Sequence, residues 1–146
     1  MTVTFIGHRD TSLFVYCKLK NVLLYLVKER GAENFYVGNH GNFDYMVKKV
    51  LKKIKKKFPH IKYTVVCAYY NGKLKNDEII PDNLMGVPER KRIIERNKWM
   101  IERADAVVVY VNKEGCSKMF KGFAQAKGKE VINIADFLFM KKIKGL

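Results

Sequence analysis

Cysteine, proline and tryptophan are scarce in this chain of 146 residues, at three, three and one. Cys17, Cys67 and Cys116 are odd in number and widely spaced, with no Cys-x-x-Cys pair. That argues against a disulfide framework and a structural zinc site, and it fits a reducing, cytoplasmic setting. His8, His40 and His60 lack metal-ligand spacing, so no metal is expected, and no cofactor either. No run of about 18 apolar residues occurs, so no membrane-spanning helix is expected. Met1 to Ile6 is short for a signal peptide, lacks its basic start, and reads as a first strand. Acidic residues are sparse too: 14 Asp and Glu stand against 29 Lys and Arg, a net charge of +15. Such a bias suits nucleic acid, an acidic partner or a phosphate-bearing small ligand; lysines laid along solvated helix faces would also produce it.

What is present is ample apolar material, 48% of residues, enough for one domain over residues 1–146 with its own core. The organising stretch is Phe35-Tyr36-Val37-Gly38-Asn39-His40-Gly41-Asn42-Phe43-Asp44. It reads as a buried strand, a glycine turn and the start of a helix continued by Met46, Val47, Val50, Leu51 and Ile54. Glycines let backbone approach a ligand, and the first amides of a helix attract an anion. The spacing Gly-x-x-Gly-x-x-Asp is not the dinucleotide fingerprint. Two further turns of this kind occur, at Ile6-Gly7-His8-Arg9-Asp10 and at Glu114-Gly115-Cys116-Ser117.

In order, Val3 to Ile6 is a strand, and Asp10, Thr11 and Ser12 cap a helix to about Arg30, stopped by Gly31. The central strand and helix follow, ending before Pro59. Tyr63 to Tyr70 is a third strand. Residues Asn71 to Pro88 read as irregular, a loop long enough to be a lid or binding segment. Glu89 to Arg103 is a helix with Ile93, Asn97, Met100 and Ile101 on one side and Arg96 adjacent. Ala106 to Val111 and Val131 to Ile134 are the last strands, separated by a short helix through Phe120, Phe123 and Ala124. Asp136 then caps a final helix containing Phe137, Leu138 and Met140. The alternation predicts an α/β fold: one Rossmann-like three-layer domain with a mainly parallel five-stranded sheet and helices on both faces. Ligands of such sheets sit beyond the strand carboxyl ends, where the strand order reverses, and all three turns fall there.

Four segments carry a resemblance: Thr4 to Asp10, Phe35 to Asp44, Arg96 to Ile101, and Lys127 to Ile134. Together they resemble the small SLOG-superfamily proteins, the Rossmann-like, YpsA-type proteins of Gram-positive bacteria and their phages. Relatives in that superfamily include phosphoribohydrolases, the DNA-processing protein A domain and sensors of nucleotide-derived signals. The resemblance implies that Gly7, His8 and Arg9 line the crevice, as do Gly38, Asn39, Gly41 and Asp44, with Arg96 and Asn97 approaching from the helix. Gly115, Cys116 and Ser117 form the third turn of the site. Hydrolytic relatives carry a double-glycine turn there and then a glutamate. Here the second glycine is Cys116, the glutamate position is Gly122, and no acid lies between Ser117 and Gln125.

The residues admit bland readings beside these. Arg9 would bind a phosphate or carboxylate, or pair with Asp10 or Asp44; Asp44 would accept from a ribose, or cap its own helix. Asn97 would clamp a ligand or a loop. Cys116 would be a nucleophile or a small turn residue. The expectation is a binding module for a nucleotide or nucleotide-derived anion, rather than an enzyme. The alternatives are a nucleotide N-glycosidase using Asp44 or Glu114, and single-stranded nucleic-acid binding through the basic surface, including the Lys52 to Lys57 face. The superfamily also implies a homo-oligomer.

Overall fold

The computed structural model describes residues 1–136. Six parallel strands form one sheet: β1 (Thr2–Gly7), β2 (Asn34–Val37), β3 (Lys62–Val66), β4 (Glu78–Ile79), β5 (Ala106–Tyr110) and β6 (Glu130–Asn133). Their order is β4-β3-β2-β1-β5-β6, so the order reverses at β1, which pairs with β2 on one side and β5 on the other. Four helices accompany them: α1 (Tyr16–Glu29), α2 (Gly41–Lys57), α3 (Arg92–Arg103) and α4 (Cys116–Ala126).

Side chains alternate across each strand, and the two resulting faces build two cores. Val3, Phe5, Phe35, Val37, Ala106 and Val108 pack with the apolar stripes of α1 and α2, whose Leu19, Leu23, Val47 and Leu51 are fully buried. Ile6, Val66, Val107 and Val109 point the other way and pack with Met100 and Ile101 of α3 and Phe120 and Ala124 of α4. Burial on both faces explains the unbroken apolar runs of the central strands. No helix among the described residues is long and apolar enough to cross a membrane.

The sheet has six strands where five were expected. The sixth, β4, lies inside the segment read as irregular; its two residues are too short to carry a periodicity, and it pairs Glu78 and Ile79 with Val65 and Val66 of β3. β3 itself ends at Val66 rather than Tyr70. The carbonyls just past that end are claimed by α3 and its approach: Arg96 Nη1 donates to Val66 O at 2.9 Å, and Arg92 Nε to Ala68 O at 2.6 Å. Leu13–Val15 and Glu89–Lys91 form 3-10 turns, so α1 and α3 begin later than expected. The last expected helix, with Phe137, Leu138 and Met140, lies outside the described residues.

Candidate functional site

Beyond the carboxyl end of β1 is a cavity of about 80 Å³. Its walls are Phe5, Ile6 and Gly7 of β1, Arg9 of the following turn, His40 and Asp44 at the start of α2, and Ile93, Arg96 and Asn97 of α3. Parts of the first and second glycine turns and of α3 therefore meet at this cavity, while His8, Gly38, Asn39 and Gly41, which the resemblance placed in the crevice, are not among its walls. The third turn does not line this cavity. Gly115 precedes α4 and its carbonyl accepts from Lys118 N–H, Cys116 is exposed and Ser117 is buried. The link between that turn and the first one is an ion pair, Lys113 Nζ to Asp10 Oδ2 at 2.7 Å.

Arg96 is the most deeply placed cation, 2% exposed. Nε donates to Asn97 Oδ1 at 2.8 Å; Nη1 donates to Val66 O and, at 3.3 Å, to Asn39 Oδ1. Nη2 has no hydrogen-bond partner among the described residues. Asp44 is buried as well, 8% exposed, and accepts from the His40 backbone N–H at 3.0 Å. Burial pushes its carboxyl above the ordinary range, against the pull of Arg96 and of the His40 amide. Asp44 thus accepts from the backbone at the head of its own helix and also walls the cavity.

The glycines serve the protein's own groups. A Cβ on Gly7 would stand 2.2 Å from the Phe43 ring, and one on Gly38 would stand 2.5 Å from Asp44 Oδ2 and 2.9 Å from Arg96 Cζ. Gly41 has φ +85° and presses against the Arg9 backbone. The amides at the start of α2 are partly used: Asn42 N–H donates to Arg9 O at 2.8 Å, and His40 N–H to Asp44. The expectation that these amides stand free for a ligand is corrected to that extent.

Arg9 pairs with neither Asp10 nor Asp44, and among the described residues its guanidinium has no hydrogen bond or ion pair. His8 is not among the cavity's walls; it is 7% exposed, its Nε2 is buried without a partner among the described residues, and burial together with Lys113 lowers its pKa. His40, expected as a turn residue, lines the cavity, with its ring 5.5 Å from Tyr69 and its Nδ1 3.2 Å from Asn39 Oδ1. Burial, then Arg96 and Arg9, lower its pKa, so both histidines titrate below the usual imidazole range. Asn39 continues the network through Nδ2 to Cys67 Sγ at 3.4 Å, and burial beside Glu78 pushes that thiol up to about 11. No group of three or more His, Cys, Asp or Glu among the described residues is arranged to hold a metal ion.

In volume the cavity admits one phosphate-sized or sugar-sized group and no whole nucleotide. The Arg9 and Arg96 guanidinium groups, the His40 ring, the Asn97 amide and the Asp44 carboxyl surround it. No protein-family model matches the chain, and no curated protein matches it either. Among solved structures it is similar to DNA processing protein A from Helicobacter pylori, studied for its single-stranded DNA binding mode. The two share 16% identity at a TM-score of 0.59, over 98% of this chain and 73% of that one. That likeness, at such identity, is one of fold: this chain is a Rossmann-like α/β domain.

Proposed function

We propose that this chain binds single-stranded nucleic acid and belongs to the SLOG superfamily, in its YpsA-like branch. The observation that carries the binding reading is the cavity at the reversal of strand order, where an unpaired Arg9 stands beside a buried Arg96. A hollow of about 80 Å³ takes one phosphate or sugar and leaves the rest of the ligand on the rim, which suits a strand. A net charge of +15 supports the same reading, since phosphate neutralisation supplies most of such affinity. So does the fold shared with a protein that binds single-stranded DNA. The test is binding of a labelled oligothymidylate to the wild type and to Arg9→Glu. Reversal of the rim cation is expected to weaken binding at least tenfold, and an unchanged affinity would count against the rim.

A second reading is a nucleotide or nucleotide-derived anion that seats only its phosphate or sugar in the same cavity. Asp44 favours it: a buried carboxyl in the same wall as Asn97 can accept from a ribose hydroxyl, and its raised pKa moves it toward the range of a general acid. Incubation with nucleoside monophosphates would then release free base, and Asp44→Asn would abolish release. Thermal shift without release would instead mark capture alone.

A further inference from the structure

Where the first turn of α1 meets the outward side of α2 lies a larger hollow, about 490 Å³, that shares no lining residue with the rim cavity. Leu13 and Tyr16 form one wall; Tyr45, Lys49, Lys52 and Lys53 form the other, and no carboxylate lines it. Lys49 Nζ stands 4.9 Å from the centre of the Tyr45 ring, and Lys53 Nζ 5.5 Å from that of Tyr16. Tyr45 is 50% exposed, and Phe14, on the same turn as Leu13, is 94% exposed. The Tyr16 hydroxyl is buried with no hydrogen-bond partner among the described residues. Tyr45, Lys49 and Lys52 also line an adjoining hollow that adds Lys48, Lys75 and Tyr63 together with the carboxylates of Asp77 and Glu78, so the track, basic and aromatic in the larger hollow, becomes mixed in charge as it crosses α2 toward β3.

We propose that this track is a docking surface for single-stranded nucleic acid: a base enters the larger hollow and stacks on Tyr45, and the lysines meet the phosphates on either side. The inference rests on the binding reading above and adds a second contact remote from the rim. Its physical basis is the pairing of ring faces with ammonium groups at the spacing of one helix face. Tyr45, Lys49, Lys52 and Lys53 fall at i, i+4, i+7 and i+8 of α2. An exposed cation over a ring is a weak contact beside base stacking, so an arriving base displaces Lys49 and frees its ammonium for a phosphate. The concave shape selects an unstacked base, which a duplex does not offer. An anionic membrane would match the charge, but it favours protruding apolar side chains over a hollow walled by two phenols.

The experiment is fluorescence anisotropy with a labelled oligothymidylate of about 20 nucleotides, long enough to reach both surfaces. Four proteins are compared: wild type, Tyr45→Ala, the triple reversal Lys49→Glu, Lys52→Glu and Lys53→Glu, and the rim variant Arg9→Glu. Tyr45→Ala is expected to weaken binding about tenfold. The triple reversal is expected to weaken it further and to reduce the slope of log affinity against log salt by about 2. Circular dichroism checks folding; should the triple variant be unfolded, the half-exposed Tyr45 carries the test by itself. If Tyr45→Ala and the triple variant bind as wild type while Arg9→Glu does not, the track is overturned and the rim reading stands. If the wild type binds no strand at low salt, both fall. If the triple variant instead loses binding to phosphatidylserine vesicles with its strand affinity intact, the track is a lipid surface and the proposal is wrong.

Discussion

The Asp44 carboxylate and the Arg96 guanidinium meet over Gly38: both lie within 3 Å of the point a Gly38 Cβ would occupy. They do not form an ion pair, since the salt bridges among the described residues do not include them, but each senses the other's charge. The empty side-chain position is therefore part of a buried electrostatic arrangement that spans β2, α2 and α3, and it shapes the rim cavity.

Gly38→Ala is expected to destabilise the fold by about 1–3 kcal/mol, the usual cost of forcing a methyl into filled space. The obstructing atoms are buried charged groups rather than free ends, so relief by side-chain motion is limited. Urea denaturation at neutral pH measures it, and a change under about 0.5 kcal/mol would show that the packing yields.

Arg96→Met leaves Asp44 buried with only the His40 amide to hold it. A loss of about 1–3 kcal/mol is expected, from buried acceptors that lose their donor and from an Asp44 that loses its neighbouring cation. Adding Asp44→Asn should recover a large part of that loss, because the stranded charge is then gone. Additive losses in the double variant would mean that the two side chains do not sense each other.

His8 supplies a pH dependence whose sign follows from its lowered pKa. The unfolded chain takes up a proton near the ordinary imidazole value of 6.5, and the folded chain takes it up only at lower pH. The contribution is present above 6.5 and is lost as pH falls through the folded-state value. Melting temperature should therefore decline on going from neutral to mildly acidic buffer, and His8→Gln should flatten that decline. His40 titrates in the same sense, so part of the decline persists in the variant.

Thiol accessibility separates the three cysteines. Cys17 and Cys116 are exposed, while Cys67 is buried, held by Asn39, and pushed up to about 11. At mildly alkaline pH two thiols should react quickly with an aromatic disulfide reagent and the third only after denaturation. Three fast thiols would contradict the Asn39–Cys67–Glu78 arrangement.

Much of the fold could be read from sequence because helices on both sides of the sheet force long apolar runs with sharp polar turns. Val107-Val108-Val109 and the stripe of α2 are instances. β4 escaped because its two residues pair only through tertiary context. At the site, the meeting of the first two turns with Arg96 and Asn97 followed from motif placement, and the structure brings those residues together. What the glycines accommodate could not be read, since Phe43, Asp44 and Arg96 reach Gly7 and Gly38 through folding. The third turn looked equivalent in sequence, yet Lys113 ties it to Asp10 and it stays off the cavity wall. The hollow of Tyr16 and Tyr45 was invisible for a similar reason, because its walls come from two helices.

The central claim, that this basic domain holds single strands, is tested most directly by the salt dependence of oligothymidylate binding to the wild-type chain. The account expects measurable affinity at about 50 mM salt and a linear fall of log affinity with log salt, steep enough to count several phosphates. Absence of binding at that ionic strength, or binding indifferent to salt, would contradict it.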